Sequence, residues 1–430
     1  MRSMLFGAFL ALSLGSAHAA VDKAEVVKTY ADLAQAEYED ALQAAKRLQG
    51  VVQALVATPS AETLQAARHA WLDARVPYQQ TEAFRFGNPI VDAWEGRVNA
   101  WPLDEGMIDY VDASYGTESD ANAYYVVNVI ANDSISVGGK AVDTSVINAE
   151  LLGEVLHEAD GNEANVATGY HAIEFLLWGQ DLNGTGPAPA DRRGTPQERH
   201  AGNRPHTDFD PAHCTGGHCE RRATYLTVVT QMLVDDLQEM ADSWKADGAA
   251  RSDVQADPQQ GLAAMLTGLG SLSYGELAGE RMKLGLMLHD PEEEHDCFSD
   301  NTHNSHYYNQ VGMMNVYQGR YKRTDGSTVE GASLSQLVAE KDAALDKEVL
   351  ARMQDTYDAM LAMKQRAEKV ETYDQMIAQG NAEGNAVVQA AIDALIAQTR
   401  SFERVIAALE LGEIDIEGSD SLDSPEAVFQ

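Results

Sequence analysis

The chain has 430 residues, with 31 Lys and Arg against 67 Asp and Glu, and its formal net charge is therefore −36. Charged residues make up 23% of the chain and apolar residues 44%, which is typical of a folded protein of about two domains and excludes a disordered one. So negative a charge argues against electrostatic binding to nucleic acid or to an anionic membrane surface, and it is compatible with cationic partners and metal ions.

The N-terminus has the pattern of a secretory signal. Arg2 supplies a positive charge, residues 5–14 form a short apolar run, and Ala17-His18-Ala19 matches an A-x-A cleavage site. The apolar run is too short to span a bilayer as a permanent helix. The sequence therefore predicts cleavage after Ala19 and export to the periplasm or beyond.

Apolar residues recur at helical spacing through most of the remaining chain. The segments with this period are 21–57, 60 to about 86 with Ser60 as N-cap, 144–157, 162–178, 220–245, 260–288, 333–378 and 383–411. Strand signals are few, and the best of them, 124–130, is equally compatible with a buried helix. The prediction is an all-α fold built from bundles of long helices.

Three long stretches, 87–119, 179–219 and 289–331, are predicted to be irregular, and long polar loops in a helical protein are usually functional. The middle stretch divides the chain near its centre, with Glu82 and Arg85 before it and Glu280 and Arg281 after it. This arrangement favours two related bundles packed together. The predicted organisation is a signal peptide (1–19), a first helical half (20–190), a connecting loop rich in Gly, Pro and His (191–222) and a second helical half (223–430).

Three cysteines allow at most one intramolecular bridge. Cys214 and Cys219 flank a flexible Thr-Gly-Gly-His segment and are predicted to form a disulfide. The alternative is a metal thiolate pair, since His213 and His218 adjoin the two sulfurs. Cys297 is expected to be a buried free thiol.

The sharpest local motif is His171-x-x-Glu174, whose two side chains share one face of a predicted helix. Such a pair can ligate one metal, or the carboxylate can fix the tautomer of the histidine. The apolar flank that ends in Trp178 favours a core or cleft position. A catalytic metal usually has three protein ligands, and the zinc-protease motif His-Glu-x-x-His is absent. The candidates to complete a site are Glu82, Glu280, Asp300 and His303.

Two further groups carry metal-ligand residue types. Residues 292–306 are dense in them, although a hydrogen-bonding loop that caps the bundle ends is an equal alternative. The central loop contains four scattered histidines, which are expected to be mostly solvated, with metal capture as the alternative: His200, His206, His213 and His218. Arg85 and Arg281 adjoin carboxylates and are expected to form structural ion pairs.

Together these motifs resemble the imelysin family and, within it, the iron-regulated, IrpA-like branch. The resemblance covers essentially the whole mature chain. The matching segments are Gly169–Glu174 (Gly-x-His-x-x-Glu), Thr81–Gly87, Ala100–Asp104, Glu294–His303, Asn315–Gly319 and Cys214–Arg222.

The resemblance implies an exported protein of two four-helix-bundle-like halves, with a site between them to which His171 and Glu174 contribute. It also implies a role in bacterial iron uptake, in the periplasm or at the outer membrane. The family is classed among metallopeptidases as well.

Three hypotheses follow. The first is a binding protein for a metal ion or iron-related ligand, with iron first and zinc or copper next, that works with iron-uptake proteins of the periplasm or outer membrane. Its cleft would contain Glu82, Arg85, His171, Glu174, Trp178, Glu280, Arg281, Asp300 and His303. The second is a zinc-type metallopeptidase that uses the same motif. The third is a surface or partner-binding protein without metal, in which the buried pair only specifies the fold.

Overall fold

Long helices form most of the chain. The computed structural model describes residues 20–119 and 122–429. The α-helices are α1 (Lys23–Ala57), α2 (Ala61–Thr81), α3 (Pro89–Asn99), α4 (Glu105–Ile108), α5 (Gly169–Trp178), α6 (Pro196–His200), α7 (Cys219–Ser243), α8 (Ala249–Gln255), α9 (Pro258–Ser271), α10 (Leu284–Leu288), α11 (Thr302–Gln318), α12 (Leu334–Lys341), α13 (Ala343–Lys369), α14 (Tyr373–Ile377), α15 (Ala382–Ala408) and α16 (Asp420–Asp423). A π-helical segment, Leu272–Lys283, joins α9 to α10.

Short strands form two antiparallel hairpins in the described residues. β1 (Ser134–Val137) pairs with β2 (Lys140–Asp143), and β3 (Arg320–Lys322) pairs with β4 (Thr328–Glu330). Neither hairpin extends into a larger sheet. The predicted all-α class is therefore confirmed.

The first bundle consists of α1, α2, α5 and α7. Asp22 caps α1 by accepting a hydrogen bond from the backbone of Ala24, and Ser60 forms a capping box with Thr63 at the start of α2. α1 packs against α2 and α7, and α5 packs against the same two helices. The apolar stripes of the four helices face one another and form its core.

The second bundle consists of α9 with its π-helical continuation, α11, α13 and α15. α13 packs between α11 and α15, and α15 also contacts the π-helical segment. Contacts of α2 with α11 and of α1 with α9 join the two bundles. The predicted pair of packed bundles is present. The relatedness of the two halves and their exact bounds stay predictions. α7 begins at Cys219, inside the predicted connecting loop 191–222, and packs on α1.

Several predicted elements differ in the structure. α3 and α11 lie in stretches predicted to be irregular. Apolar periodicity does not predict α11, because its buried face carries polar residues in place of apolar ones: His303, His306, Asn309 and Gln310. The segment 124–130 forms turns, neither strand nor helix. Of the predicted helix 144–157, the structure forms only a short helical segment, 149–156, which is π-helical over Leu151–Leu156.

Cys214 and Cys219 are joined by a disulfide, and Cys297 is a free thiol that is half-buried rather than fully buried. The predicted secretory signal lies outside the described residues. Among the helices that the structure describes, none is both long and apolar enough to cross a membrane.

Candidate functional site

α5 carries the His-x-x-Glu motif, and Gly169 determines where this helix begins. Gly169 has a φ of +80°, and a Cβ at this position would lie 2.4 Å from the carbonyl oxygen of Val98 in α3. Glycine therefore allows α5 to start against the backbone of α3. All ten residues of α5 are buried. A helix buried on every side requires internal partners for its polar side chains.

His171 and Glu174 form a hydrogen-bonded pair in the interior. His171 Nδ1 lies 3.0 Å from Glu174 Oε2, and the two residues are 1% and 0% exposed. Glu174 Oε1 accepts hydrogen bonds from the backbone N–H and the hydroxyl of Ser299, at 2.9 and 2.7 Å. Glu174 therefore uses both oxygens and fixes the orientation of the imidazole. His171 Nε2 has no hydrogen-bond partner.

His295 and Asp296 lie beside this pair, on the segment that leads into α11. The rings of His171 and His295 meet edge to face, with centroids 4.8 Å apart. Asp296 Oδ1 accepts a hydrogen bond from Arg75 Nη2 at 2.6 Å, and its Oδ2 accepts one from the hydroxyl of Ser305. Ligand atoms of His171, His295 and Asp296, one from each, lie within 4.8 Å of one another. We call these three residues the interior triad.

Burial and the charge of Arg75 determine the protonation of the triad. Burial, together with Arg75, lowers the pKa of His171 to about 3, and burial also lowers the pKa of His295. Burial alone would raise the pKa of Asp296, but Arg75 holds it well below its usual range. Burial and the charge of Asp296 raise the pKa of Glu174. Near neutral pH the triad therefore offers two uncharged imidazoles and one carboxylate, the protonation states that a metal ion requires.

A buried ion-pair group adjoins the triad and links the two bundles. Arg281 Nη2 lies 2.7 Å from Glu82 Oε2 and 2.5 Å from Glu276 Oε1. Asn99 donates a hydrogen bond to Glu82 at 3.0 Å and accepts one from Arg75 at 2.6 Å. Glu82 and Arg281 are thus paired with each other, and one asparagine connects them to the triad.

Other predicted cleft residues lie at the surface or at the edge of this group. Arg85 is 3.6 Å from Glu276, at the outer side of the ion-pair group. Glu280 is exposed and lines a surface depression next to α16. Trp178 is buried on one side, while the other side lines a depression of about 340 Å³ that it shares with Arg204. The structure does not bring Glu280 into the interior site.

The structure places the last two predicted cleft residues, His303 and Asp300, in different surroundings. His303 is buried on α11, with Nε2 3.1 Å from the amide nitrogen of Asn304 and no partner on Nδ1. Asp300 belongs to a different cluster, in which its Oδ2 lies 3.4 Å from His200 Nδ1. The expectation of solvated loop histidines is wrong for His200, which is completely buried, whereas the side chain of His213 is exposed.

Sequence reasoning missed the part that Arg75, His295 and Asp296 have in the site. Arg75 follows Trp71 and precedes Tyr78 on the buried stripe of α2, and a charge on such a stripe was an available signal. His295 and Asp296 lay within the segment 292–306 that was singled out, but no local spacing distinguishes them from their acidic neighbours. Their selection depends on which residues face α5.

Comparison with known proteins identifies relatives that are described as imelysin-like or iron-regulated. The family model described as imelysin matches residues 34–402. Iron-regulated protein A of Synechococcus elongatus is 24% identical over 329 residues, which is 75% of this chain and 71% of that protein.

Two solved structures share the fold. A structure assigned to an iron-regulated protein A precursor from Parabacteroides distasonis has a TM-score of 0.63 at 18% identity and covers 91% of this chain and 97% of its own. An imelysin-like protein from Psychrobacter arcticum has a TM-score of 0.54 at 15% identity, with coverages of 92% and 100%.

Proposed function

The chain belongs to the imelysin family, and from that premise we propose that it binds a metal ion at the interior triad, with iron as the first candidate and zinc or copper as alternatives. In this proposal the N-terminal segment directs export to the periplasm or outer membrane. The protein then takes part in bacterial iron uptake with other proteins of that compartment. The name of its relative, iron-regulated protein A, supports the link to iron.

The observation that carries the proposal is the free Nε2 of a fully buried histidine. His171 Nδ1 is engaged by Glu174, and Nε2 has no hydrogen-bond partner. When Glu174 is ionised, the neutral imidazole carries its proton on Nδ1 and a lone pair projects from Nε2; a cation at Nε2 favours this state. Metal-ligating histidines have this arrangement, with a carboxylate that orients the ring from behind. Glu174 is therefore assigned as the orienting group, and the ligands are the three residues of the triad.

Asp296 has a free lone pair for an ion, and Arg75 limits how tightly the ion is held. Oδ1 of Asp296 accepts a hydrogen bond from Arg75 Nη2, and His295 Nδ1 lies 3.3 Å from the same oxygen. A carboxylate oxygen has two lone pairs, and when the uncharged His295 accepts a hydrogen bond from Arg75 Nη2, the second lone pair is available to a cation. The guanidinium charge next to it opposes a second positive charge. A site of moderate affinity suits an ion that is carried and released.

Burial argues against the peptidase alternative. His171, His295 and Asp296 are each 1% exposed or less. A peptide bond has to reach an open coordination position of the metal, and these side chains have no surface that a peptide chain could contact.

The test is the metal content of the full chain, purified without a His-tag or chelator and loaded in turn with iron, zinc and copper. We expect His171→Ala to lose one equivalent of metal relative to the wild type. Glu174→Gln, which keeps the shape of the side chain, is expected to weaken metal affinity about 10- to 100-fold. Circular dichroism of each variant would show that it is folded.

His213→Ala is the matched control, because His213 Nδ1 contacts Asp210 Oδ2 at 2.7 Å with the same spacing of three residues, but at the surface. It should keep the full metal content. Equal metal content in folded His171→Ala and wild type would contradict the proposal and leave the buried pair with a structural role alone. Chelator-sensitive peptide cleavage that disappears in Glu174→Gln would support a peptidase instead.

A further inference from the structure

Four polar side chains converge outside the interior triad, and each comes from a different segment. Asp181 follows α5, His200 ends α6, Asp300 precedes α11, and Asp374 lies in α14. One ligand atom from each lies within 4.8 Å of all the others. We call these four residues the acidic cluster. His200, Asp300 and Asp374 are completely buried, and Asp181 is partly buried.

His200 is oriented toward the carboxylates. Its Nε2 lies 2.9 Å from the carbonyl oxygen of Gly186, which accepts the Nε2–H hydrogen bond. Its Nδ1 lies 3.1 Å from Asp374 Oδ2, 3.4 Å from Asp300 Oδ2 and 3.8 Å from Asp181 Oδ2. Nδ1 nevertheless makes no hydrogen bond. The ring donates through Nε2, and its Nδ1 is directed into the acidic cluster, where a cation can bind the Nδ1 lone pair once the Nδ1 proton has left.

The carboxylates also keep oxygens without partners. Neither oxygen of Asp300 accepts a hydrogen bond, and Oδ2 of Asp374 accepts none. The other oxygen of Asp374 is held by the backbone N–H of Gln375 at 2.7 Å, and Asp181 Oδ1 is held by Asn183. The oxygens that local groups satisfy are thus distinct from those that face His200. Buried carboxylate oxygens without partners are rare because their desolvation is not compensated.

Apart from His200, no basic side chain of the described residues pairs with this cluster. Over residues 20–119 and 122–429, no Lys or Arg nitrogen lies within 4.0 Å of a carboxylate oxygen of Asp181, Asp300 or Asp374. Elsewhere in the interior, Arg75 pairs with Asp296. Even a protonated His200 would balance only one of the three carboxylates.

We propose that the acidic cluster is a second metal site, in which His200 Nδ1 and one carboxylate oxygen each from Asp181, Asp300 and Asp374 coordinate a divalent cation. Three oxygens and one imidazole nitrogen suit an ion of the Mn²⁺ or Fe²⁺ type. The oxygens disfavour Cu⁺, which prefers sulfur ligands, and the imidazole disfavours Ca²⁺ and Mg²⁺. This site shares no ligand with the interior triad, although Asp300 and the triad residue Asp296 lie on the same loop.

The three carboxylates of the cluster repel one another, because Asp181, Asp300 and Asp374 all lie around one ring nitrogen of His200. A bound cation would remove the repulsion and keep the carboxylates ionised.

A narrow acidic crevice borders the cluster at Asp181. It has a volume of about 10 Å³ and is lined by Asp181, Glu105, Glu292 and Glu294, among others. This volume accommodates about one water-sized particle. The lining attracts cations and is too narrow for an organic ligand, so a single ion is the occupant that it fits.

Mn²⁺ is the probe, because the paramagnetic resonance signal of the free aqueous ion decreases when the ion binds. The full chain would be stripped with chelator, exchanged into chelator-free buffer and titrated with Mn²⁺. We expect the wild type to bind one equivalent of Mn²⁺ at this cluster. His200→Gln and Asp374→Asn should each weaken the affinity for that equivalent by about 10-fold or more. Without metal, Asp374→Asn should be at least as stable as the wild type, because it removes one of three like charges. The Mn²⁺-induced rise in its Tm should be lost.

Two controls separate this site from the first. His171→Ala should keep the Mn²⁺ equivalent of the acidic cluster, so failure of the interior triad as a metal site leaves this result unaffected. Asp210→Asn, which changes a surface partner of His213, should match the wild type. Mn²⁺ binding that is unchanged in both His200→Gln and Asp374→Asn would overturn the proposal. So would wild-type protein that binds no Mn²⁺, or binding that is lost in Asp374→Asn but insensitive to His200→Gln.

Discussion

His306 is a buried imidazole with no hydrogen-bond partner on either nitrogen. Its ring meets the edge of Tyr373 at a centroid distance of 5.4 Å, and the charged or titratable groups that act on it are Arg281, Asp296 and His303. Burial, together with Arg281, lowers its pKa to about 3. An unfolded histidine titrates near 6.5, so between about pH 3 and pH 6.5 the unfolded state binds more protons. The contribution of His306 to stability is therefore complete above this window and is lost as the pH falls through it.

Replacement of His306 by Leu should remove this dependence. On going from about pH 7.5 to about pH 5, we expect the wild type to lose about 2 kcal/mol of unfolding free energy through this one group, and the variant to lose that much less. Urea unfolding at the two pH values measures the difference. His69→Leu, at an exposed histidine on α2, should retain the wild-type dependence. If His306→Leu retained it as well, the histidine would be charged or solvated in the folded protein.

α11 is the element in which polar residues replace the usual apolar stripe. Its buried positions include His303, His306, Asn309, Gln310 and Met313. Asn309 donates to the backbone of Gln79 in α2 at 2.9 Å. The helix is thus held at the junction of the bundles by side-chain hydrogen bonds as well as by packing. This element could not be found from apolar periodicity, although its polar residues recur at the same helical spacing.

Close contact between α11 and α2 depends on Gly312. A Cβ at this position would lie 2.2 Å from the backbone oxygen of Gln80, so Gly312→Ala forces the helices apart. We expect it to destabilise the protein by about 1–3 kcal/mol in urea unfolding, as overpacked cores do.

Gly50 in α1 provides the matched control, because nothing lies within 4 Å of a Cβ built there. Gly50→Ala should stabilise the protein by about 0.5–1 kcal/mol through the helix preference of alanine. Equal effects of the two substitutions would mean that the approach of α2 and α11 is looser than the structure has it.

For the whole molecule, the dominant electrostatic fact is the net charge of −36. Self-repulsion of this size opposes the compact state. Raising NaCl from about 0.01 M to about 0.15 M shortens the Debye length from about 30 to about 8 Å. We therefore expect Tm to rise by a few degrees over this range.

Thermal unfolding of chelator-treated protein measures this effect. Tetramethylammonium chloride at the same ionic strength is the control, since it screens charge but cannot enter a metal site. The two salts should give equal shifts. A Tm that falls with salt would contradict the dominance of repulsion, because it would mean that attractive ion pairs outweigh it.

The sequence by itself determined the features that depend on neighbours along the chain. Helix period gave the all-α class and the start of α2 at Ser60, and the spacing of His171 and Glu174 placed them on one face of α5. The motifs that resemble the imelysin family could also be identified from the sequence. These features are local because a helix brings together residues three or four positions apart whatever surrounds it.

Only the tertiary structure decided which distant residues meet. Ser299 reaches Glu174, Arg75 neutralises Asp296, and Glu280 faces solvent while Glu276 takes its place beside Arg281. The acidic cluster consists of Asp181, His200, Asp300 and Asp374, and no two of these residues lie at helical spacing in the sequence. The packing of the bundles and loops brings these residues together. The periodicity of a single sequence predicts contacts along one helix and does not predict contacts between distant segments.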